Sequence, residues 1–201
     1  MANTPRIRAY GWDSLLLEID DPAGPAGPAG WFRALQAARD AGELACEEIV
    51  PAARTVLLRG ITAPPDLDRL RPLPPPPGSA AVTVPVTWDG EDLDAVAVLW
   101  GEDPVRRMTT RPFTVAFCGF APGFAYLSGL PTHCHVSRLD TPRTSVPAGS
   151  VGVAGEYAGI YPRSSPGGWR LLGRTALTLF DLERDPPALL APGTMVKFVD
   201  A

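Results

Sequence analysis

The sequence has 201 residues, of which 45% are hydrophobic and 20% are charged, so it is long enough for one large or two small soluble domains. Its formal net charge of −4 leaves no basic excess to neutralise a phosphate backbone, so we expect neither nucleic acid nor a membrane as a partner. The 20 glycines and 24 prolines favour short strands and turns over a helical bundle.

The first 86 residues predict a small α/β domain whose elements follow the order βαββαβ. Its first helix begins near Trp31, where apolar residues recur at i, i+3, i+4 and i+7, and it ends at Gly42. This order is that of a ferredoxin-like split βαβ unit. The predicted strands cover residues 14–19, 46–50, 55–59 and 81–86, and a second short helix covers residues 66–70.

Residues 87–201 predict a second domain that is mainly β with a short helical insertion at its start. Asp92 and Asp103 are placed to cap two short helices, one through Trp100 and one to about Met108. Beyond residue 112, short apolar segments alternate with Gly-Pro turns, which predicts a closed or nearly closed barrel. The predicted barrel strands cover residues 113–118, 150–154, 169–173, 176–180 and 195–199.

The three cysteines, Cys46, Cys118 and Cys134, indicate a reducing compartment, because they are odd in number and unrelated in spacing. The first residues show no basic stretch followed by an apolar core, so we expect a cytoplasmic protein without a signal peptide. His133 and His135 flank Cys134 and point the same way in an extended segment, which is the pattern of a metal site. Third and fourth ligands are not apparent, and we therefore predict no metal.

No phosphate-binding loop, nucleophile elbow or zinc-helix motif occurs in the sequence. The residues best suited to binding or catalysis lie between Cys118 and Arg174. Glycine turns there let backbone approach a ligand, and aromatic side chains could line a pocket or, alternatively, plug the barrel. The aromatic residues concerned are Phe120, Phe124, Tyr126, Tyr161 and Trp169.

Arg143 is the candidate for binding an anion, because Lys197 is the single lysine and the substrate-binding cation is therefore an arginine. Pro142 and Pro147 flank Arg143 and could fix its guanidinium for a bidentate grip on a carboxylate or phosphate. The alternative is a structural salt bridge.

Three blocks in this region resemble the family of the B-type subunit of bacterial ATP-dependent 5-oxoprolinase. They read GFAPGFAYLSGLP at 119–131, TPRTSVPAGSVGVAG at 141–155 and IYPRSSPGGWRLLGRT at 160–175. The same family includes the Kip-type inhibitor of a sporulation histidine kinase and subunit 1 of allophanate hydrolase. The resemblance covers essentially the whole chain and implies an α+β, mainly β protein, with a small N-terminal α/β domain and a C-terminal cyclophilin-like β-barrel.

The resemblance also implies an enzyme subunit that works with others. A C-type carboxyltransferase-like partner and an A-type subunit would complete a hydrolase that converts 5-oxoproline to glutamate. ATP with magnesium would be bound mainly by, or shared with, the partner. The alternatives are a subunit of an allophanate hydrolase or urea amidolyase, and a non-catalytic inhibitor of a sensor histidine kinase.

We predict that Arg143 binds an anion, that Tyr126 and Ser150 donate hydrogen bonds, and that these three form the catalytic set. The family usually has other residues at four positions, and these departures bear on the substrate: Met108, Ser137, Tyr157 and Ala158. The predicted substrate-binding residues are Phe120, Pro122, Gly123, Phe124, Pro147, Gly149, Tyr161, Pro162, Gly167, Gly168, Trp169 and Arg174.

Overall fold

Two units make up the chain in a computed structural model, Met1–Gly78 and Ser79–Ala201, and the structure describes residues 4–20, 27–74 and 81–201. Strands outnumber helices within these ranges, which confirms the α+β, mainly β prediction. The helices are α1 (Pro28–Asp40), α2 (Leu93–Trp100) and α3 (Pro104–Thr110), with a short 3-10 turn at Thr132–Cys134. The strands are β1 (Arg6–Ala9), β2 (Ser14–Glu18), β3 (Glu48–Pro51), β4 (Thr55–Arg59), β5 (Val82–Val86), β6 (Phe113–Cys118), β7 (Ala125–Ser128), β8 (Arg143–Val146), β9 (Ser150–Ala154), β10 (Tyr157–Ile160), β11 (Ser165–Gly167), β12 (Arg170–Arg174) and β13 (Met195–Asp200).

The first unit packs α1 on a four-stranded antiparallel sheet with the strand order β1-β2-β4-β3. Trp31 and Leu35 of α1 join Leu17, Val56 and Leu58 of the sheet in one buried cluster. The predicted strand-helix-strand-strand core is therefore present. Its edge next to β2, however, is occupied by β1, a strand that the sequence did not predict.

One predicted element of the first domain is wrong, and another forms but belongs to the second unit. The segment predicted as a helix at 66–70 forms a turn, with the Arg69 amide donating to the Asp66 carbonyl at 3.2 Å. The strand predicted at 81–86 does form, as β5, but it pairs in parallel with β13 of the second unit. Alternation of apolar residues shows that a strand is half-buried and does not show which sheet it joins. The predicted boundary near residue 86 therefore shifts to between residues 78 and 79.

The second unit is built on a seven-stranded sheet with the strand order β12-β9-β10-β7-β6-β13-β5. The two ends of the sheet meet where Thr87 and Arg174 exchange two backbone hydrogen bonds of 2.9 Å. This bridge nearly closes the sheet into a barrel, as predicted. The predicted strand at 176–180 is wrong, because that segment contributes only an isolated bridge between Phe180 and Ala188.

The helical insertion of the second unit has the predicted extent. Asp103 caps α3 by accepting a hydrogen bond from the Val105 amide at 2.9 Å. Asp92 stands at the N-cap position of α2 but makes no capping hydrogen bond with its side chain, so that role is wrong. No helix among the described residues has both the length and the apolar character needed to cross a bilayer.

Candidate functional site

The seven-stranded sheet carries two separate cores, one on each of its faces. Successive residues of a strand point to opposite faces. In β7, Leu127 lies in the aliphatic core of the barrel, whereas Tyr126 lies against a second cluster. In β12, Leu172 belongs to the barrel core and Leu171 to that second cluster. The proposal that the aromatic residues plug the barrel is therefore wrong, because they pack on the opposite face of the sheet.

We call the second core the aromatic cluster, and it comprises Phe117, Phe120, Phe124, Tyr126, Tyr157, Tyr161 and Trp169. Tyr126 lies at its centre, stacked on Phe117 with ring centroids 4.3 Å apart. Phe124 meets Trp169 and Tyr161 edge to face, with centroids 5.3 and 5.4 Å apart. These are the separations and orientations at which aromatic pairs attract beyond their buried area. Sequence reasoning identified five of the seven rings and missed Phe117 and Tyr157.

The aromatic cluster is closed on one side and open on the other. Phe124, Tyr161 and Trp169 are buried, whereas Tyr126 is half-buried. Phe120 is 61% exposed, with its ring centroid 5.3 Å from that of Phe124. The open side therefore presents the ring of Phe120 and part of Tyr126, backed by packed rings, which is a surface suited to a flat ligand or to a partner protein.

The loop between β6 and β7 holds Phe120 outward. Phe120 has φ of 67° and is the one non-glycine residue with positive φ in the described part of the chain. Gly123 also has positive φ, at 82°, and a Cβ there would lie 2.7 Å from that of Phe180. Such close packing fixes the loop, because a strained backbone persists only where its surroundings hold it. Pro122 of the same loop is exposed, and Pro162 packs against Gly123.

Two glycines make room for the rings. A Cβ on Gly159 of β10 would lie 2.8 Å from the indole ring of Trp169 and 3.1 Å from the ring of Phe124. A Cβ on Gly167 would overlap the hydroxyl of Tyr161. Only glycine lets the rings lie this close to the backbone.

The turn at residues 147–150 joins the aromatic cluster through the backbone of Tyr161. The Gly149 amide donates to the Tyr161 carbonyl at 2.7 Å, and the Tyr161 amide donates to the Ser150 carbonyl at 2.9 Å. Ser150 is buried and Pro147 is exposed. Burial raises the pKa of the Tyr161 hydroxyl, because desolvation disfavours the phenolate.

Arg143 is held by internal partners. Its Nη2 lies 2.8 Å from Oδ2 of Asp92, its Nε lies 3.1 Å from Oε2 of Glu91, and its Nη1 donates to the Trp169 carbonyl at 3.2 Å. Oδ2 of Asp92 also accepts from the Leu171 amide at 2.7 Å. These contacts match the salt-bridge alternative, since the guanidinium is engaged along both edges.

Some predicted residues lie outside this arrangement or at its edge. Arg174 is exposed and pairs with Asp89 at 2.9 Å, and its side chain has no described contact with the cluster. Gly168 accepts a hydrogen bond from the Leu139 amide at 2.8 Å, behind Trp169. Glu91 and Asp92 were missed as site residues because only the fold brings them to Arg143, about fifty positions along the chain.

Each of the two helices α2 and α3 of the second unit begins at an aspartate. Helix N-termini favour anions because their backbone amides are unpaired. Here the Asp103 carboxylate already accepts from the Val105 amide at the start of α3, and the Asp92 carboxylate at the start of α2 is turned to Arg143 and the Leu171 amide.

The model of one protein family, described as the carboxyltransferase domain, subdomain C and D, matches residues 5–190. Two curated relatives are the B-type subunits of 5-oxoprolinase from Escherichia coli O157:H7, 45% identical over 129 residues, and from Haemophilus influenzae, 48% identical over 124 residues. These alignments cover 61% and 59% of this chain and 59% and 58% of the relatives. The chain thus spans less than two thirds of the relatives' length.

Two solved structures extend the comparison. The protein TTHA0988 is 31% identical with a TM-score of 0.77, and the match covers 94% of this chain and 40% of that one. The Kluyveromyces lactis urea amidolyase is 20% identical with a TM-score of 0.69, and the match covers 98% of this chain and 15% of that one. The second likeness shows the fold alone.

Proposed function

This chain belongs to the family of the carboxyltransferase domain, subdomain C and D, and we propose from that premise that it is the B-type subunit of an ATP-dependent 5-oxoprolinase. The observation that carries the proposal is the 45–48% identity to three curated proteins that are named as this subunit of 5-oxoprolinase. The likeness to urea amidolyase rests on fold, so it does not favour allophanate or urea as the substrate.

We propose that the chain acts with separate partner subunits of the C and A types. This chain matches only 40% of TTHA0988 and 15% of the urea amidolyase, so domains of this kind occur joined to further polypeptide. A domain that is fused in one protein and separate in another commonly keeps the same contacts in both. The open side of the aromatic cluster offers such a contact, because Phe120 is exposed there.

The proposed reaction explains why ATP is required. A lactam amide is a poor electrophile, and phosphorylation of its carbonyl oxygen creates a good leaving group at the expense of ATP. We propose that ATP, with its magnesium, is bound mainly by the partner subunit and that this chain forms the wall of the lactam site.

Each side chain of the wall has a proposed task. Phe120 and Tyr126 face the substrate at the open side, the first as an apolar surface and the second as a hydrogen-bond donor. Phe124 and Trp169 support them from the buried side, and Ser150 fixes the turn beside Tyr161. Arg143 holds Trp169 directly through its carbonyl and holds Leu171 through Asp92. We therefore assign Arg143 a positioning role rather than direct anion binding.

The function is tested by co-expressing the chain with C-type and A-type subunits and measuring phosphate release from ATP. We expect release when 5-oxoproline is added and none with allophanate or urea. A stable complex that releases phosphate only with allophanate or urea would contradict the substrate. One that releases phosphate with none of the three would favour a binding protein such as a kinase inhibitor.

The wall is tested with Tyr126→Phe, which removes one hydroxyl and keeps the ring. We expect substrate-dependent phosphate release to fall about tenfold or more, as befits the loss of one hydrogen bond of about 1.4 kcal/mol. Tyr10→Phe is the matched control, because Tyr10 is exposed in the first unit and should leave the rate unchanged. An unchanged rate in Tyr126→Phe would remove that hydroxyl from the site.

A further inference from the structure

A second cluster of reactive side chains lies away from the aromatic cluster, around Glu102. Oε1 of Glu102 lies 3.1 Å from Nε2 of His133 and 3.3 Å from Sγ of Cys134. These three atoms all lie within 4.8 Å of one another. The sequence had indicated the imidazoles of His133 and His135, on either side of Cys134, as the candidate ligands. The fold instead brings His133 and Cys134 to Glu102, about thirty residues earlier in the chain.

We propose that Glu102, His133 and Cys134 form a binding site for one zinc ion. In a tetrahedral zinc site with bonds of 2.0–2.3 Å, neighbouring oxygen and nitrogen ligands are about 3.4 Å apart, and neighbouring oxygen and sulfur ligands about 3.6 Å apart. The two distances from Oε1 are a few tenths of an ångström shorter than these. Small outward movements of the Glu102 carboxylate and of His133, whose side chain is 59% exposed, would therefore admit the ion.

The donor set selects the class of metal. Thiolate and imidazole ligands favour zinc and its neighbours in the transition series, whereas magnesium and calcium require oxygen ligands. Cys134 is buried and approaches from the inside, while His133 leaves the outer side open to solvent, so a water molecule can complete four ligands. The thiol proton leaves to solvent when sulfur binds the metal.

Arg107 is compatible with this site. Its Nε donates to Oε1 of Glu102 at 2.8 Å and its Nη2 to Oε2 at 2.7 Å. When Oε1 turns to the metal, the bond to Oε2 remains and orients the carboxylate, as outer hydrogen bonds do around other bound metals. The charges of one carboxylate and one thiolate balance that of the divalent ion, so the site together with Arg107 carries one net positive charge.

His135 and Cys118 lie outside the site and provide matched controls. Nε2 of His135 lies 3.4 Å from the Leu130 carbonyl, and Sγ of Cys118 donates to the Leu190 carbonyl. Each control substitutes a residue of the same type as one proposed ligand: His135 matches His133, and Cys118 matches Cys134. A metal that bound to exposed histidines or to any thiol would respond to these changes as well.

The test is titration of the purified chain with cobalt(II) alone, followed by zinc in competition with a chromophoric chelator. We expect one equivalent of cobalt, a sulfur-to-cobalt charge-transfer band in the near ultraviolet, and displacement of the cobalt by zinc. Cys134→Ser should abolish the band, and His133→Asn should weaken zinc binding more than about 100-fold, the upper effect of losing an outer partner. His135→Asn and Cys118→Ser should bind as the parent chain does.

Two results would overturn the site: absence of the band in the parent chain, and an undiminished band in Cys134→Ser. Should Cys134→Ser fail to fold, His133→Asn decides the matter, because its exposed side chain is not needed for packing. Unchanged zinc affinity in folded His133→Asn would equally reject the site. The outcome is independent of the proposed 5-oxoprolinase activity.

Discussion

The barrel core and the aromatic cluster are built from opposite faces of the same strands, and they differ in how completely they are closed. The barrel core is largely aliphatic and contains residues such as Leu127, Leu172 and Phe198 that are wholly buried. The aromatic cluster is buried only on one side and ends at the exposed ring of Phe120. Full closure serves stability, whereas an open cluster of rigid rings leaves surface free for binding.

The largest expected effect is a loss of stability from truncation in the barrel core. Phe198 is fully buried and meets Phe113 edge to face at 5.4 Å. Phe198→Ala should lower the free energy of unfolding of the second unit by about 3–5 kcal/mol, because it leaves a cavity in closed packing. Urea denaturation followed by circular dichroism measures the change. Phe120→Ala is the control and should cost less than about 0.5 kcal/mol, as at other surface positions.

A smaller effect is expected where the sheet supports the aromatic cluster. Gly159→Ala places a methyl group 2.8 Å from the Trp169 ring, so the free energy of unfolding should fall by about 1–3 kcal/mol through overpacking. The displaced indole should also change the fluorescence of the folded protein. In Gly119→Ala the new atom meets nothing closer than Tyr126 at 3.8 Å, so that variant should behave as the parent. Equal stability of the two variants would contradict the close approach.

The salt bridge between Asp92 and Arg143 should contribute less to the free energy of unfolding than the packing around Gly159 does. Asp92→Asn keeps an oxygen for the Leu171 amide but loses the charge opposite Arg143, so we expect a loss of about 1–2 kcal/mol in urea denaturation. Glu91→Gln is the control, because Glu91 is 74% exposed and such pairs contribute about 0–1 kcal/mol. If Arg143 positions Trp169, then Asp92→Asn also lowers substrate-dependent phosphate release. Full activity in that variant would contradict the positioning role of Arg143.

The sequence predicts those strands whose apolar residues repeat in a run. β2, β4, β6, β9 and β13 all show such runs and all form. β1 was missed because every one of its four residues is exposed, which leaves no apolar pattern to detect. Residues 176–180 show the reverse case, since Leu179 is buried and Leu177 and Phe180 are half-buried although the segment pairs into no sheet.

The candidate site was predictable in composition and not in arrangement. Aromatic residues between Gly-Pro turns indicated a ring cluster, and the cluster exists. Which face of the sheet it occupies depends on how β7, β10 and β12 pair, and that is a long-range property. The engagement of Arg143 depends on Asp92, whose pattern in the sequence is that of a helix cap. The third member of the proposed zinc site, Glu102, was hidden for the same reason.

The smallest expected effect is on how the free energy of unfolding depends on pH. This dependence distinguishes Tyr161, on the buried side of the aromatic cluster, from exposed tyrosines. Burial raises the pKa of Tyr161 above its ordinary value of 10.0, so the folded state favours the neutral phenol. The stability that this provides is complete below pH 10 and is lost as the pH rises above 10, where the unfolded chain ionises first. Tyr161→Phe should therefore unfold with a flatter dependence on pH above about 10 than the parent chain.

The comparison with the parent isolates this tyrosine from the buried thiols. Burial also raises the pKa of Cys118 and Cys134, each to about 11, and both thiols destabilise the fold at alkaline pH in either protein. Their contribution cancels when the two urea-denaturation series are subtracted. Tyr10→Phe, which changes an exposed residue of the first unit, should follow the parent curve at every pH. If Tyr161→Phe follows that curve too, the Tyr161 hydroxyl is open to water, and the distinction between a closed and an open side of the cluster fails.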